Sequence, residues 1–386
     1  MTGPFLIVAG EKSGENYGAA VVRRFRETDP DARFFGIGGT NMAEAGVEIV
    51  RPMSELAVVG LAEVVSKLPR IRRIFGAIRK EVAARRPAAA LLIDSPDFNL
   101  RLARRLKKAG VPVLYYISPT VWAWRKGRLK TVRNAVRKMC LIFPFEEAVY
   151  ARAGIPARFV GHPLLERVRT SFGREEFFRK YGLDPAKKLV ALLPGSRKSE
   201  IGFHMPVLEA ALPRIRDRVS CQFVLVQAQD LEPGLLESAL PSGAPGVTML
   251  RQDAYEAMAA ADLVLSACGT ANLEAALLGT PLVAFYRLSP ITYAAGRRFV
   301  RIDDYSIVNI LAGARIVPEL IQGGFTAETL AREAVRLLDS EGARAEQRAR
   351  FMEIRQSLGR ESASRNVADE LARLAGGLES GSRSGS

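Results

Sequence analysis

The sequence has few of the residues from which metal sites and disulfide frameworks are built. Its 386 residues include three cysteines, Cys140, Cys221 and Cys268, and two histidines, His162 and His204. The cysteines are odd in number and far apart, and no group of these residues has the spacing of a zinc site. We therefore expect neither disulfides nor a bound metal, and no motif calls for another cofactor.

Long hydrophobic runs are also missing. No apolar run approaches the roughly 20 residues that span a bilayer, and Phe5–Ala9 is too short for the core of a signal peptide. The hydrophobic fraction of 48% and the charged fraction of 25% are ordinary for folded soluble proteins. We expect a cytoplasmic protein whose length exceeds one typical core, and hence two domains.

Acidic residues are scarce in one part of the chain. Between Ser66 and Lys138 there are 20 Lys or Arg residues against three acidic ones, a surplus larger than the +15 of the whole chain. Such a concentrated basic surface indicates a polyanionic partner, either a nucleic acid or an anionic membrane face.

The segment Leu68–Val82 has the pattern of a basic amphipathic helix. A helix packed on the core, with a solvated basic face, is the commoner interpretation of such a pattern. The apolar stretch 57–61 just upstream favours an interface instead, because its glycine makes it hard to bury as regular structure. The predicted membrane-facing residues are Val58, Val59, Leu61, Arg70, Arg72, Arg73, Phe75 and Arg79.

Short apolar runs alternate with helical patterns along most of the chain, which is typical of parallel sheets covered by helices. The alternation stops near Gly161-His162-Pro163 and then begins again, so it predicts an α/β protein with two doubly wound domains. His162 is either a structural turn residue or part of an interdomain cleft. The predicted divisions are residues 1–163, 164–345, C-terminal helices over 346–375, and a disordered Gly/Ser tail over 376–386.

The stretch Leu263–Phe285 predicts a strand, a turn at Cys268-Gly269-Thr270, a helix and a second strand. A helix that starts beside a glycine offers unpaired N–H groups to a phosphate, and Glu274 one turn later could accept hydrogen bonds from a ribose. An ordinary strand-to-helix turn explains this stretch equally well. The Gly10–Glu15 turn, GEKSGE, lacks the ending of a Walker loop, and Gly36-Ile37-Gly38-Gly39 is not the spaced dinucleotide fingerprint.

Two carboxylates follow the apolar strand that ends at Ile93. Ser95 suits the N-cap of the next helix and Pro96 its first position, so helix formation accounts for Asp97 in the first turn. Asp94 lies at the carboxyl end of a parallel strand, where open α/β sheets bind ligands, and no capping role requires it. We therefore predict that Asp94 is a general base.

Two other turns carry side chains that suit ligands. In Pro194-Gly195-Ser196-Arg197 the guanidinium is predicted to point at the anion bound by the Gly269 turn. Both tryptophans lie in Ser118–Trp124, beside basic residues, which suits a lipid headgroup, a nucleic acid or a sugar equally well.

Together these motifs resemble the lipid-A-disaccharide synthases, glycosyltransferases of family 19 with the two-Rossmann GT-B architecture. The resemblance covers nearly the whole chain and is highly specific as a set. The matching segments are Gly10-Glu11 with Ser13-Gly14, Ile93–Asn99, Ser118–Arg125, Gly161–Pro163, Leu192–Arg197, Gly269–Pro281 and Asn309–Gly313.

The resemblance implies two Rossmann-like domains facing across a cleft, and an enzyme of lipid A (lipopolysaccharide) biosynthesis. That enzyme transfers diacylglucosamine from UDP to the 6-hydroxyl of 2,3-diacylglucosamine 1-phosphate with inversion, giving a β-1′,6 disaccharide. It needs no metal and is peripheral on the cytoplasmic face of the inner membrane, and a homodimer is left open. By resemblance the acceptor side includes Glu11, Ser13 and Gly14, and the donor side includes Gly195, Ser196, Arg197, Gly269, Thr270, Glu274 and Asn309, with Asp94 and Arg197 catalytic.

Three positions depart from the family pattern. Glu15 stands where Asp is usual, Cys268 where Ser is usual, and Val308 where Pro is common. These departures put a role for the three side chains in doubt and leave the backbone geometry largely untouched.

Two other functions remain as alternatives. A second UDP-sugar enzyme of the same fold, such as a 2-epimerase, is hard to exclude because fold does not fix function. An apolar, basic-rimmed surface nevertheless suits an acylated acceptor and is unnecessary for a soluble sugar. A basic nucleic-acid-binding protein is disfavoured, since no nucleic-acid motif accompanies the nucleotide-sugar turns.

Overall fold

The computed structural model describes residues 3–57, 68–122, 127–228, 231–232, 234–239, 246–297, 304–359 and 362–381. The chain divides into two compact units. The first comprises Met1–Pro163 with Leu358–Ser386, and the second comprises Leu164–Ser357. The first unit is therefore built from two separate pieces of chain.

Seven strands form the sheet of the first unit. They are β1 Phe5–Ala9, β2 Phe34–Gly38, β3 Val47–Pro52, β4 Ala89–Ile93, β5 Val113–Tyr116, β6 Lys138–Leu141 and β7 Ala157–Phe159. All pairs are parallel and the order is β3-β2-β1-β4-β5-β6-β7. The order in which the chain adds strands to the sheet therefore reverses between β1 and β4. Doubly wound sheets bind ligands at this point.

Helices cover both faces of this sheet. They are α1 Lys12–Thr28, α2 Thr40–Glu44, α3 Ser54–Ala57, α4 Leu68–Arg85, α5 Pro96–Lys108, α6 Arg128–Ala135 and α7 Glu146–Arg152, with α18 Ala363–Gly381 from the C-terminal piece. Side chains of α1 and α18 pack on one face, and those of α4, α5, α6 and α7 pack on the other. Strands buried on both faces explain why β1 and β4 are continuous apolar runs.

Helix α1 begins four residues earlier than the sequence predicts. Ser13 and Gly14, interpreted from the sequence as part of a turn, lie in its first turn. Gly14 is buried, and a Cβ at this position would stand 3.4 Å from the Ile93 side chain. At that distance an added Cβ would make an ordinary van der Waals contact, and the glycine does not end the helix.

The apolar stripe of α4 faces the protein. Phe75 is 8% exposed, stacks on Phe98 with ring centroids 4.6 Å apart, and is covered by the Arg105 guanidinium. The prediction that Phe75 faces a membrane is therefore wrong, because its side of the helix is already buried in the core. Arg72 and Arg73 are exposed and Arg70 is half-buried, whereas Val58, Val59 and Leu61 lie outside the described residues.

Six strands form the sheet of the second unit. They are β8 Lys188–Leu193, β9 Cys221–Val226, β10 Val247–Leu250, β11 Leu263–Ala267, β12 Leu282–Tyr286 and β13 Glu319–Ile321. All pairs are parallel in the order β10-β9-β8-β11-β12-β13, so the reversal lies between β8 and β11. The three-residue edge strand β13 was not predicted, since it is too short to show a pattern.

The remaining helices belong to the second unit. They are α8 Leu164–Arg167, α9 Arg174–Tyr181, α10 Lys198–Arg216, α11 Leu235–Ala239, α12 Ala254–Ala260, α13 Thr270–Leu278, α14 Pro290–Arg297, α15 Ile307–Ala312, α16 Ala327–Asp339 and α17 Glu341–Ser357. Helices α10 and α16 pack together on one face around Phe223, Phe285 and Phe325. None of the described helices has the length and apolar character needed to cross a membrane.

The C-terminal helices belong to different units. Helix α17 lies in the second unit, whereas α18 returns to the first, where Val367 and Leu371 are fully buried. The Glu370 carboxylate meets Lys138 at 2.7 Å and Arg158 at 2.8 Å. Helix α18 reaches Gly381, so it includes the start of the predicted disordered tail, because glycine costs a helix only about 1 kcal/mol.

Candidate functional site

Asp94 lies at the switch point of the first sheet. Ala9 and Ile93 are paired at the ends of β1 and β4, so the residues that follow them share one edge. The backbone of Asp94 is held in place, because its carbonyl accepts hydrogen bonds from Asn99 Nδ2 at 2.8 Å and from the Tyr115 hydroxyl at 2.6 Å. The structure thus places Asp94 as predicted, on a rigid strand end.

The carboxyl group of Asp94 sits in an unusual electrostatic environment. Burial, followed by the negative charge of Glu11, raises the pKa of Asp94 to about 6, against a hydrogen bond from the Ser95 backbone and the charge of Arg128. A carboxylate with this pKa is still ionised at neutral pH and is a stronger base than an ordinary aspartate. The environment suits proton abstraction.

Ser95 caps α5 by position only. Its hydroxyl makes no capping hydrogen bond, and its φ of 44° follows the φ of 47° at Asp94. The prediction of an ordinary side-chain cap is therefore wrong. A Cβ at Gly10 would collide with the Ser95 hydroxyl, so close approach of two turns fixes this conformation. Asp97 lies in the first turn as predicted, exposed and 2.7 Å from Arg128.

The three residues predicted on the acceptor side lie at the start of α1, directly after β1. Glu11 is the N-cap and is exposed, Ser13 is exposed, and Gly14 is buried. The first-turn N–H groups of this helix have no side-chain cap among the described residues. Glu11 thus shares an edge with Asp94, and the Coulomb effect on the pKa of Asp94 agrees with that proximity.

The second sheet brings two predicted turns together. Leu193 pairs with Ser266, so the turn at Gly195, Ser196 and Arg197 leaves β8 beside the turn that leaves β11. Helix α13 begins at Thr270 with Gly269 as its N-cap and without a side-chain cap, and a Cβ at Gly269 would meet open space. Unpaired N–H groups at an open helix start form a site suited to a phosphate.

Arg197 is exposed and is held on one side. Its Nη1 lies 3.0 Å from Glu200 Oε1, and 74% of its side chain is exposed. The guanidinium therefore stands at the predicted edge but is anchored to its own helix. Gly195 adopts a φ of 126°, which only glycine takes readily.

Glu274 lies one turn into α13, half-buried. Its carboxylate accepts a hydrogen bond from the Tyr255 hydroxyl at 3.0 Å. Burial raises the pKa of Glu274, against this hydrogen bond and the charge of Arg167. A fixed, partly desolvated acceptor is what recognition of ribose hydroxyls would require.

Asn309 is placed differently from its predicted role. Its side chain is fully buried, its Nδ2 donates to Val317 O at 3.0 Å and Glu319 Oε1 at 2.7 Å, and its Oδ1 accepts from Ile316 N and Val317 N. These bonds use the full capacity of the amide. A direct contact with a nucleotide would have to break them, so the structure assigns Asn309 to holding α15 and the following loop.

Two cavities of the first unit lie away from these carboxyl edges. Two cavities of about 410 and 470 Å³ lie at the amino-terminal edge of the first sheet, lined by residues such as Arg33, Glu48, Pro87 and Val111. Among the described residues no three His, Cys, Asp or Glu side chains come close enough to hold a metal. The predicted residues lie at the carboxyl edges of the sheets, away from both cavities.

Comparison with known proteins decides the family. Residues 5–374 match the family model described as lipid-A-disaccharide synthetase. A lipid-A-disaccharide synthase of Geobacter sulfurreducens is 43% identical over 372 residues, covering 96% of this chain and 97% of that protein. The synthase of Syntrophus aciditrophicus is 43% identical over 365 residues, covering 94% and 95%. The chain belongs to the lipid-A-disaccharide synthase family.

Solved structures show that this lipid-A-disaccharide synthase family member has the GT-B fold. A kitacinnamycin glycotransferase matches with a TM-score of 0.65 at 16% identity, covering 96% of this chain and 99% of that one. MurG of Acinetobacter baumannii matches at 0.56 and 14%, covering 96% and 99%. A UDP-GlcNAc 2-epimerase of Neisseria meningitidis matches at 0.61 and 11%, covering 96% and 98%. At these identities the likeness concerns the fold alone.

The three residues that depart from the lipid-A-disaccharide synthase pattern can be located in the structure. Glu15 is fully buried and its Oε1 accepts from Asn41 N at 2.8 Å, so it caps α2. Cys268 is half-buried, and burial raises the pKa of its thiol. Val308 is buried in the first turn of α15, and its N–H donates to the Ser306 hydroxyl.

The structural role of His204 in the second unit was missed in the sequence. This histidine is fully buried, with Nδ1 2.6 Å from Pro194 O and Nε2 accepting from Arg287 N at 3.0 Å. Burial lowers its pKa, so a neutral ring joins the ends of β8 and β12. His204 lies seven residues after Arg197, on the same face of α10, and this spacing is the only signal of its role in the sequence. His162, by contrast, is buried in the first unit, where burial lowers its pKa to about 3.

Proposed function

We propose that the chain transfers a 2,3-diacylglucosamine unit from UDP to the 6-hydroxyl of 2,3-diacylglucosamine 1-phosphate, with inversion at the anomeric carbon and release of UDP. Membership of the lipid-A-disaccharide synthase family supports this reaction. The observation that carries the mechanism is Asp94, a half-buried carboxylate at a sheet switch point with a pKa raised to about 6.

Asp94 acts as the general base in this proposal. It takes the proton from the acceptor hydroxyl as the hydroxyl oxygen attacks the anomeric carbon, and the bond from that carbon to the UDP oxygen breaks. The hydrogen bonds that Asn99 Nδ2 and the Tyr115 hydroxyl donate to the Asp94 carbonyl fix the strand end that carries the base. A fixed base near its working pH contributes about 10²–10⁴ to the rate of such a reaction.

The second sheet holds the donor. The uncapped start of α13 at Gly269 and Thr270 faces the diphosphate, and Arg197 adds a positive charge to the same edge. Both interactions strengthen as negative charge develops on the departing UDP. Glu274, fixed by Tyr255, accepts hydrogen bonds from the ribose.

The direct test is UDP release with acylated and non-acylated sugars. We expect release only when a diacylated donor and a diacylated acceptor phosphate are both present, and a matching disaccharide by mass spectrometry. Asp94→Asn serves as the control that separates transfer from donor hydrolysis. Release of UDP with non-acylated substrates at the same rate would contradict the lipid substrate class.

The epimerase alternative has a separate signature. The structural likeness to a UDP-GlcNAc 2-epimerase concerns the fold alone and does not favour it over transfer. An epimerase would interconvert UDP-GlcNAc and its 2-epimer without any acceptor, which nuclear magnetic resonance of the sugar detects. The nucleic-acid alternative gains no support, since the family match concerns a sugar-transfer enzyme.

The lipid substrates call for a place at the membrane, and this proposal includes peripheral attachment to the cytoplasmic face of the inner membrane. The exposed basic side chains of α4 support it, with Arg72, Arg73 and Arg79 facing solvent. Each basic residue near an anionic surface contributes about 1 kcal/mol, and salt screens this attraction. Because Phe75 is buried, α4 contributes to membrane attachment through its charged side chains and not through this aromatic ring.

Vesicle sedimentation tests the attachment. Anionic vesicles should carry the protein down at low salt, less so at high salt, and less when Arg70, Arg72, Arg73 and Arg79 are all changed to Gln, with UDP affinity intact. Retention of RNA or DNA without vesicle binding would favour the nucleic-acid alternative. Wild-type protein that ignores anionic vesicles at low salt would remove the membrane role of α4.

A further inference from the structure

Glu200 gathers the groups at the start of α10. Its Oε2 accepts hydrogen bonds from Ser196 N at 3.0 Å and Arg197 N at 3.3 Å, and its Oε1 accepts from Arg197 Nη1 at 3.0 Å. The carboxylate is 6% exposed although it carries a charge. Buried charges persist in proteins only when they are paired and hydrogen-bonded, and Glu200 has both kinds of partner.

The surroundings of Glu200 are shaped to hold this carboxylate. A Cβ at Gly195 would stand 2.6 Å from Glu200 Oε2, so the turn closes over it only with glycine there. The Tyr286 hydroxyl, at the end of β12, lies 3.2 Å from Glu200 Oε1. The carboxylate is thus held by its own turn and by a second strand. It therefore stays in place when the Arg197 side chain changes conformation.

Arg197 is anchored through one nitrogen only. Within the described part of the chain, its Nε and Nη2 donate no hydrogen bond, and most of its side chain is exposed. A guanidinium is a planar fork, so fixing Nη1 restricts where the other two nitrogens point. Arg197 follows β8 at the carboxyl edge of the sheet, beside the turn that precedes α13, and its two remaining nitrogens are not taken by another described residue.

We propose that Glu200 is a positioning residue of the donor site, which holds the guanidinium of Arg197 by one nitrogen so that its remaining donors receive the diphosphate. This inference rests on the proposed function and adds a residue to it. An unanchored arginine loses up to about 2 kcal/mol of rotamer freedom when it is fixed by a ligand. Glu200 already restricts the Arg197 side chain in the free protein, so less rotamer freedom is lost when the donor binds.

A role for Glu200 in helix capping alone predicts a different effect on UDP affinity. A carboxylate that merely caps α10 stabilises the turn, and its loss would lower donor affinity equally with or without the Arg197 side chain. A positioning role acts through Arg197, so its loss should matter only when that side chain is present. The two roles therefore separate in a double-mutant cycle.

The experiment measures UDP affinity by calorimetry in wild type, Glu200→Gln, Arg197→Ala and the double variant. We expect Glu200→Gln to weaken UDP binding roughly tenfold in the wild-type background, and to change it less than about twofold in the Arg197→Ala background. Glu256→Gln is the matched control. Glu256 is also a buried glutamate of the second unit that accepts a backbone hydrogen bond, from Ser171 N at 2.8 Å, and it should show no coupling to Arg197.

Equal weakening in both backgrounds would overturn the positioning role and leave Glu200 a helix cap. Tighter UDP binding by Glu200→Gln would also overturn it, because Glu200 would then compete with the donor for Arg197. If the glutamine variant does not fold, Glu200→Asp keeps the charge, withdraws the carboxylate by one methylene, and should show the same dependence on Arg197. Wild-type protein that binds no UDP would defeat the donor side of the proposed function itself, and this inference with it.

Discussion

The two sheets have the same strand topology, but they carry opposite charges at the edge where the strand order reverses. At the end of β4 in the first unit stands Asp94, with Glu11 nearby. At the end of β8 in the second unit stands Arg197, next to the uncapped start of α13. These charges match the roles proposed for the two edges, proton abstraction at the first and anion binding at the second.

The scaffolds beneath these edges are alike. Asn99, in the first unit, donates from Nδ2 to the carbonyl of Ile93 at 3.0 Å, and Asn272, in the second, donates to the carbonyl of Ala267 at 3.1 Å. Both asparagines are fully buried near the start of the helix that follows the switch-point strand. The difference between the edges therefore lies in the turn residues that follow the strands and not in how the strands end.

The largest effect should come from removing the base. Asp94→Asn should lower kcat by about 10²–10⁴ while UDP affinity and the melting temperature stay near wild type, because asparagine keeps the shape and tolerates positive φ. Asp97→Asn is the matched control, since its exposed pairing with Arg128 contributes at most about 1 kcal/mol. Activity lost in Asp97→Asn and kept in Asp94→Asn would reverse the two assignments.

The corresponding change at the other edge should act on binding and rate together. Arg197→Ala should weaken UDP binding by roughly 10- to 100-fold, the range for hydrogen bonds to charged groups, and should slow transfer as well. Arg197→Lys should restore only part of both. Calorimetry checks the affinity, and Lys198→Ala, which removes a neighbouring exposed charge, should leave it unchanged. An unaltered UDP affinity in Arg197→Ala would remove this residue from the donor edge.

Asn309 offers a smaller effect of a different kind. Asn309→Ala leaves the buried N–H group of Val317 without its hydrogen-bond acceptor, so it should lower the free energy of unfolding by about 1–3 kcal/mol. Thermal unfolding measures this loss, and UDP affinity per folded molecule should change little. A variant of normal stability with lost UDP affinity would instead support the direct contact that the family resemblance implies.

The finest comparison uses pH. Because Asp94 must be ionised to act as a base, kcat should fall as pH drops through about 6. Glu11→Gln removes a negative charge that raises the pKa of Asp94, so it should move this limb of the profile to lower pH. Arg128→Gln removes a charge that lowers the pKa and should move the limb to higher pH. Shifts in the same direction in both variants would show that the limb does not report Asp94.

The sequence predicts the strands and the two turns that carry the site because each is a local pattern. Apolar runs such as Ala89–Ile93 end in polar or glycine turns, and the parallel order then places the turns at one edge. Asp94 was separable from Asp97 because capping rules explain one and not the other. Local rules failed where distance in sequence mattered.

The missed features are contacts between residues far apart. Glu15 caps a helix that begins 25 residues later, and His204 joins Pro194 to Arg287 across two strands. Phe75 shows the reverse difficulty, since an apolar stripe has the same spacing whether it meets a core or a membrane. Hydrophobic periodicity identifies a face and does not identify its partner.

Because α18 returns to the first unit, that unit is completed only after the whole of the second unit has been synthesised. Residues 1–163 leave the ribosome first, but Val367 and Leu371 fill one face of their core. At about 5–20 residues per second, that face waits on the order of ten to forty seconds for its last helix. The nascent first unit therefore exposes an apolar surface through the whole synthesis of the second, a period when chaperones can bind it and when truncated chains are left unfinished.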